Sequence, residues 1–102
     1  MCINGKFVNS SSKESFPSLN PATEKPIAYF QSATQSDVEA AVRAAEAAFP
    51  EWRDTPPPSR GQILLETARL LKKNKEKLAL LETQEMGKVL KEGLGDVQEA
   101  ID

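Results

Sequence analysis

Apolar residues along the chain change their spacing once, near residue 35. Before that point they are sparse and broken by polar and proline residues. Ile3 to Val8 reads INGKFV, where the Asn4–Gly5 pair fits a tight turn between short strands. Ser10 to Glu14 is polar and reads as a loop. In Ser15 to Phe30 the apolar residues Phe16, Leu19, Ile27 and Tyr29 are interrupted by Pro17, Pro21 and Pro26. Proline cannot donate to a ladder, so this stretch is expected as edge strands joined by the turn from Asn20 to Lys25. Residues 1–35 therefore read as a small antiparallel meander, too small to be stable alone.

From Ser36 onward the spacing becomes helical. Ser36 and Glu39 fit a capping box, and Val38, Ala41, Val42, Ala45, Ala48 and Phe49 follow on one narrow, alanine-rich face. Small residues let a neighbouring element approach closely, so this face is read as packing surface. Pro50 is expected to end the helix. Pro56, Pro57 and Pro58 suit the start of the next one, because a proline at the first helical position loses no intrahelical bond. Ile63, Leu64, Thr67, Ala68, Leu70 and Leu71 are expected as its buried stripe. Asn74 is expected to cap a further segment carrying Leu78, Leu80 and Leu81, with a kink between the two. Gly87 fits a helix C-cap, and Leu90, Leu94, Val97 and Ile101 recur at helical spacing after it. That stripe runs to Asp102 without a cap, so the chain reads as the first part of something longer. The fold class is α+β: one partial domain, with the meander in 1–35 and about four helices in 36–102.

Composition narrows the chemistry. Apolar residues make up 39% and charged residues 27%, an ordinary globular balance, and no apolar run approaches the roughly 20 residues of a membrane span. Thirteen basic against fifteen acidic residues leave a net charge of -2, so neither nucleic acid nor membrane is expected as a partner. With no His, the usual general base near neutral pH and every His-ligated metal site are excluded. Cys2 is the single cysteine, so no intrachain disulfide forms, and it reads as an incidental thiol. The polar first segment lacks an apolar signal run, and a cytoplasmic location is expected.

Local motifs add little. Lys72, Lys73, Lys75 and Lys77, balanced by Glu66, Glu76, Glu82 and Glu85, read as a solvated face. Gly93 and Gly95 begin a GxG run but follow a helix instead of a strand, so they read as close-packing helix glycines and not as a phosphate cradle. No carboxylate pair is set apart by its context, all fifteen acids reading as solvated. No internal repeat is visible.

The order of segments says more than any of them alone. Asn20-Pro21-Ala22-Thr23, Ala48-Phe49-Pro50-Glu51-Trp52, Arg60 in its PPPSRGQIL setting and Glu85-Met86-Gly87-Lys88, in that order between Ile3 and Asp102, closely resemble the N-terminal stretch of the NAD(P)-dependent aldehyde dehydrogenase superfamily. The resemblance implies the N-terminal part of a Rossmann-like cofactor domain, in a protein near five times this length. Members oxidise an aldehyde through a cysteine thiohemiacetal, pass hydride to NAD or NADP and release the acid with a glutamate base. The catalytic cysteine, that glutamate and the cofactor glycines lie downstream of the matched stretch, and Cys2 does not align with the nucleophile. No catalytic or cofactor-binding residue is therefore carried over, no cofactor is expected on this chain alone, and its own turnover is expected to be nil.

Some members hold a monovalent cation between backbone carbonyls just before the Asn-Pro-Ala segment and an acid before the Gly-Lys pair, with a further ligand downstream, and Ser18, Leu19 and Glu85 occupy the matching positions. Within the superfamily, the Glu82 to Asp102 stretch looks most like semialdehyde-type members. A different reading is a stand-alone helical module that self-associates, or a regulatory subunit that binds a full-length paralogue. In each case the stripe ending at Ile101 needs a partner, whether a second copy, the remaining enzyme portion or the paralogue. A charge placed on it, as in Leu94→Asp, is expected to weaken folding or association.

Overall fold

The structure, a computed structural model, describes all residues from Met1 to Asp102. Its contacts divide the chain into two units, one of Met1–Pro17 with Tyr29–Thr55 and one of Ser18–Ala28 with Pro56–Asp102. Each unit thus combines strand and helix.

In the first unit, β1 (Cys2–Ile3) and β2 (Lys6–Phe7) pair antiparallel, Cys2 opposite Phe7 and Ile3 opposite Lys6. Asn4 (φ 51°) and Gly5 (φ 69°) are both left-handed, the backbone that a two-residue hairpin of this twist demands. The Met1 and Val8 backbones close the open end, with the Val8 N–H donating to the Met1 carbonyl at 2.9 Å. β3 (Ser15–Leu19) and β4 (Pro26–Gln31) form a second two-stranded sheet. The antiparallel pairing expected of residues 1–35 is present, divided between two hairpins.

α1 spans Gln35–Asp54, and both of its ends differ from the sequence expectation. The cap is Thr34, not Ser36. The Thr34 hydroxyl accepts the Asp37 N–H at 3.3 Å while Asp37 accepts the Thr34 N–H at 2.9 Å. Ser36 and Glu39 carry the same pattern two residues on, but only the Thr34 box is tied to the rest of its unit. Buried Ser10 places its hydroxyl 2.8 Å from Asp37 and 2.6 Å from the Ser32 carbonyl, and Ser11 meets the Thr34 hydroxyl at 2.9 Å. A cap of this kind contributes about 1 kcal/mol.

Pro50 does not end α1 either; it lies inside the helix. The bond it forfeits is the one to Glu46, an exposed residue whose carbonyl water can satisfy. The last turn closes one residue beyond the helix, where the Thr55 N–H donates to the Glu51 carbonyl at 3.0 Å.

Asp37 is the acid most affected by its surroundings in this unit. The Thr34 N–H, and after it the Ser10 hydroxyl, stabilise the carboxylate and hold its pKa at about 2, below its ordinary 3.8. The folded value is depressed, so the stabilisation is complete above about pH 4 and is lost as the pH falls toward 2. Asp37→Asn is expected to remove that limb. Melting curves between about pH 5 and pH 2 should converge for the two proteins at the acid end, and parallel curves throughout would refute the assignment.

In the second unit α2 (Pro57–Lys73), α3 (Lys75–Met86) and α4 (Leu90–Ile101) follow with almost no connecting chain. Pro57 takes the first helical position of α2, as expected. Asn74 closes α2 and opens α3, but its side chain works backward: Nδ2 donates to the Leu70 carbonyl at 2.8 Å and caps nothing in α3. Gly87 ends α3 at φ 76°, the left-handed C-cap its sequence predicts.

The core of this unit is the seam between α3 and α4, with α2 also packed on α4. Ala79 is fully buried and Val97 is 9% exposed, and buried Gly93 faces Ala79 across the crossing. A Cβ on Gly93 would stand 3.0 Å from the Ala79 carbonyl oxygen. Gly93 is thus the close-packing glycine the sequence suggests, whereas Gly95 has open space around it. The α2 stripe expected to be buried is not. No α2 residue is buried, Leu64 and Leu65 are each 65% exposed, and Ala68 and Leu71 are only half-covered. Helical spacing identifies an apolar side but not what lies against it. No helix is long and apolar enough to cross a membrane.

Candidate functional site

The second unit brings Ser18 and Glu85 together. β3 delivers Ser18 and Leu19 to the Asn20 turn, and Glu85 sits in the last turn of α3, before the Gly87 cap. The Ser18 hydroxyl donates to Glu85 Oε1 at 2.8 Å across 67 positions of sequence. Leu19, next in the strand, is 48% exposed.

The turn beside this pair is built from its own sequence. Asn20 Oδ1 accepts the Ala22 N–H at 2.9 Å and the Asn20 N–H donates to the Lys25 carbonyl at 2.9 Å. The Asn20 carbonyl takes the Glu24 N–H at 2.7 Å. Pro21 then lies against Gly87, where a Cβ would stand 3.0 Å from Pro21 Cγ. Glycine is required there twice, by its left-handed backbone and by the proline ring. The Asn20–Thr23 and Glu85–Lys88 segments, remote in sequence, thus meet in one place.

Lys88 leaves that turn toward the α3–α4 crossing. Its ammonium donates to Glu82 Oε1 at 2.9 Å and also to Asp96. Asp96 and then Glu82 push the Lys88 pKa well above its ordinary value, and Lys88 in turn lowers that of Asp96. Expecting all fifteen acids to be solvated therefore fails at Asp37 and at Glu82, both half-buried, whereas Glu82's companion on Lys88, Asp96, stays exposed. The signal for Glu82 and Asp96 is an acid on each side of a helix-ending Gly-Lys pair, within reach of that lysine. Of the basic cluster, Lys72, Lys73 and Lys77 are exposed as expected, while Lys75 is half-buried and donates to Gln98 at 2.8 Å. Cys2 is a free, exposed thiol.

Chemically, Ser18 and Glu85 form an all-oxygen donor pair with one carboxylate oxygen engaged, a type that suits a hard cation. No cluster of three or more His, Cys, Asp or Glu side chains that could hold a metal ion exists in the chain.

Comparison with known proteins identifies the family. The sequence model of the aldehyde dehydrogenase family matches residues 7–102. A probable methylmalonate-semialdehyde/malonate-semialdehyde dehydrogenase of Dictyostelium discoideum is 44% identical over 95 residues, covering 93% of this chain and 18% of the relative. A malonate-semialdehyde dehydrogenase of Bacillus cereus is 44% identical over 100 residues, covering 98% of this chain and 21% of the relative. Among solved structures, 3,6-anhydro-L-galactose dehydrogenase superposes with a TM-score of 0.92 at 36% identity, over 96% of this chain and 20% of that one. A betaine aldehyde dehydrogenase from Staphylococcus aureus, in complex with NAD+, gives a TM-score of 0.91 at 32% identity, over 95% of this chain and 20% of that one. The chain spans about a fifth of the length of the curated relatives it matches. Two small antiparallel sheets and four helices match the N-terminal portion of the cofactor domain of these enzymes. The chain belongs to the aldehyde dehydrogenase family and corresponds to the N-terminal portion of such an enzyme.

Proposed function

We propose that these residues serve as a structural portion of an NAD(P)-dependent aldehyde dehydrogenase that acts on a semialdehyde. The reading rests on the superposition at a TM-score of 0.92 over 96% of the chain. The malonate-semialdehyde dehydrogenases among its relatives support the substrate class, and the NAD+ complex of a structural neighbour supports the cofactor. The part these residues take is positional: the Lys88 ion pairs and the Pro21–Gly87 contact fix the hairpin tip and the α3–α4 seam. The nucleophile, the base and the cofactor-binding residues belong to the remaining enzyme portion, and the free 102 residues do not oxidise aldehyde.

That remaining portion is also the partner we assign to the exposed α2 side, where Ile63, Leu64, Leu65 and Leu70 leave apolar surface unfilled. A Ser18–Leu19–Glu85 contribution to a monovalent-cation site belongs to the same reading, through the Ser18 and Leu19 carbonyls and the Glu85 carboxylate. We assign a cytoplasmic setting to the whole enzyme, with which a free thiol at Cys2 is compatible.

The test is a graft. These 102 residues replace the matching stretch of the Bacillus cereus malonate-semialdehyde dehydrogenase, and NAD+ reduction with malonate semialdehyde is followed. A soluble hybrid with activity within about tenfold of the parent, a barrier change of roughly 1.4 kcal/mol, is expected. A soluble, correctly assembled hybrid with no activity would overturn the proposal, as would NAD+ reduction by the free chain.

A further inference from the structure

We propose that Asn4 is a site of spontaneous deamidation that converts the β1–β2 turn to aspartate and isoaspartate. The inference does not depend on the family reading. The chain has four asparagines, and three hold their side-chain amides in place. Asn9 Oδ1 accepts Gln31 Nε2, Asn20 Oδ1 accepts the Ala22 N–H, and Asn74 Nδ2 donates to the Leu70 carbonyl. Asn20 also precedes Pro21, whose ring nitrogen carries no proton to lose. Asn4 is exposed, its amide holds no partner, and the next residue is Gly5, with no Cβ to obstruct attack on the neighbouring carboxamide.

The chemistry needs only water. A solvent base removes the proton from the Gly5 amide nitrogen, which attacks Asn4 Cγ. The new C–N bond closes a succinimide and the Cγ–Nδ2 bond breaks, releasing ammonia. Water then opens the ring. Addition at Cγ leaves aspartate, and addition at the main-chain carbonyl leaves isoaspartate, with the chain now running through the former side chain. The tight turn restrains Asn4 in its left-handed conformation, so reaction proceeds through opening. Opening is cheap here, because the hairpin is a lone two-stranded ribbon with two paired residues on each strand and, beyond them, only the Met1–Val8 backbone pair. Isoaspartate adds a backbone atom to a turn that admits only two residues, so closure is then blocked. Cys2 to Gly5 border the Ala41, Ala44, Ala45 and Ala48 face of α1, which loses that cover.

The protein is incubated at pH 6 and pH 8 and digested with trypsin, which releases Met1–Lys6, and Asn4 is followed by the mass gain of an NH2-to-OH exchange and by isoaspartate-specific elution. Conversion at Asn4 is expected to be roughly tenfold or more faster than at Asn9 and Asn74, to rise with pH, and to slow roughly fivefold in Gly5→Ala. Because alanine strains the closed turn, the same substitution is also measured in the free Met1–Lys6 peptide, where no fold intervenes. Conversion of Asn4 no faster than Asn9, or a Gly5→Ala rate unchanged in both chain and peptide, would overturn the proposal.

Discussion

Val97→Asp is expected to abolish the cooperative melting of the helical unit. Val97 is 9% exposed and sits in the seam where α4 crosses α3, beside Gly93 and the fully buried Ala79. A carboxylate there has no cation assigned to it, since Lys88 is already shared by Glu82 and Asp96. An unpaired buried charge costs about 3–5 kcal/mol, comparable with the whole stability of a small domain at about 5–15 kcal/mol. Leu94→Asp, on the same stripe but half-exposed, should cost less because its carboxylate can reach water. Thermal melts followed by far-ultraviolet circular dichroism decide the matter. A Val97→Asp protein that melts with the wild-type midpoint would show that the seam is not the core.

Gly93→Val should be the next most damaging change, for a steric reason. The first added carbon meets the Ala79 carbonyl oxygen at 3.0 Å, and that oxygen belongs to helix backbone, which cannot swing aside as a side chain does. The two methyls of valine widen the conflict. Overpacking of this kind costs about 1–3 kcal/mol, or roughly 5–20 °C in melting temperature for a unit of this size. Gly95→Ala is the control. Nothing lies within 4 Å of its Cβ position, so it should gain about 0.5–1 kcal/mol from helix propensity alone. Equal effects at the two glycines would mean that backbone entropy, not the crossing, decides both.

Much of the fold was legible because local rules determine it. Asn4–Gly5 requires a left-handed pair, Gly87 a left-handed cap, and Pro57 the first position of a helix, and each is found there. Where two local solutions compete, the sequence does not choose between them. Thr34 with Asp37 and Ser36 with Glu39 are overlapping capping patterns, and the choice is made by Ser10 and Ser11, more than twenty positions away. Pro50 shows a different limit. The rule that proline ends a helix assumes that the lost bond is costly, and beside the exposed Glu46 it is not. The α2 stripe shows a third, because periodicity marks an apolar side without saying what covers it.

The candidate site was legible only through the family resemblance. Nothing in composition or spacing links Ser18 to Glu85, and their meeting depends on where the hairpin tip lies in its unit. The resemblance supplied the pairing, and the Pro21–Gly87 contact supplies its physical reason. The Lys88 pairs needed neither, since both acids flank that residue closely in sequence, but a count of balanced charges hid them.

The shared residue between α2 and α3 has a consequence for how this segment tolerates change. Asn74 is the whole connection, and Gly87 fixes the far end of α3 against Pro21, so the twelve residues between them have no slack. One residue inserted between Ala79 and Gly87 turns the preceding face by about 100° relative to the cap and carries Ala79 away from Gly93. Homologous chains are therefore expected to vary here by substitution and to keep the length from Asn74 to Gly87 fixed.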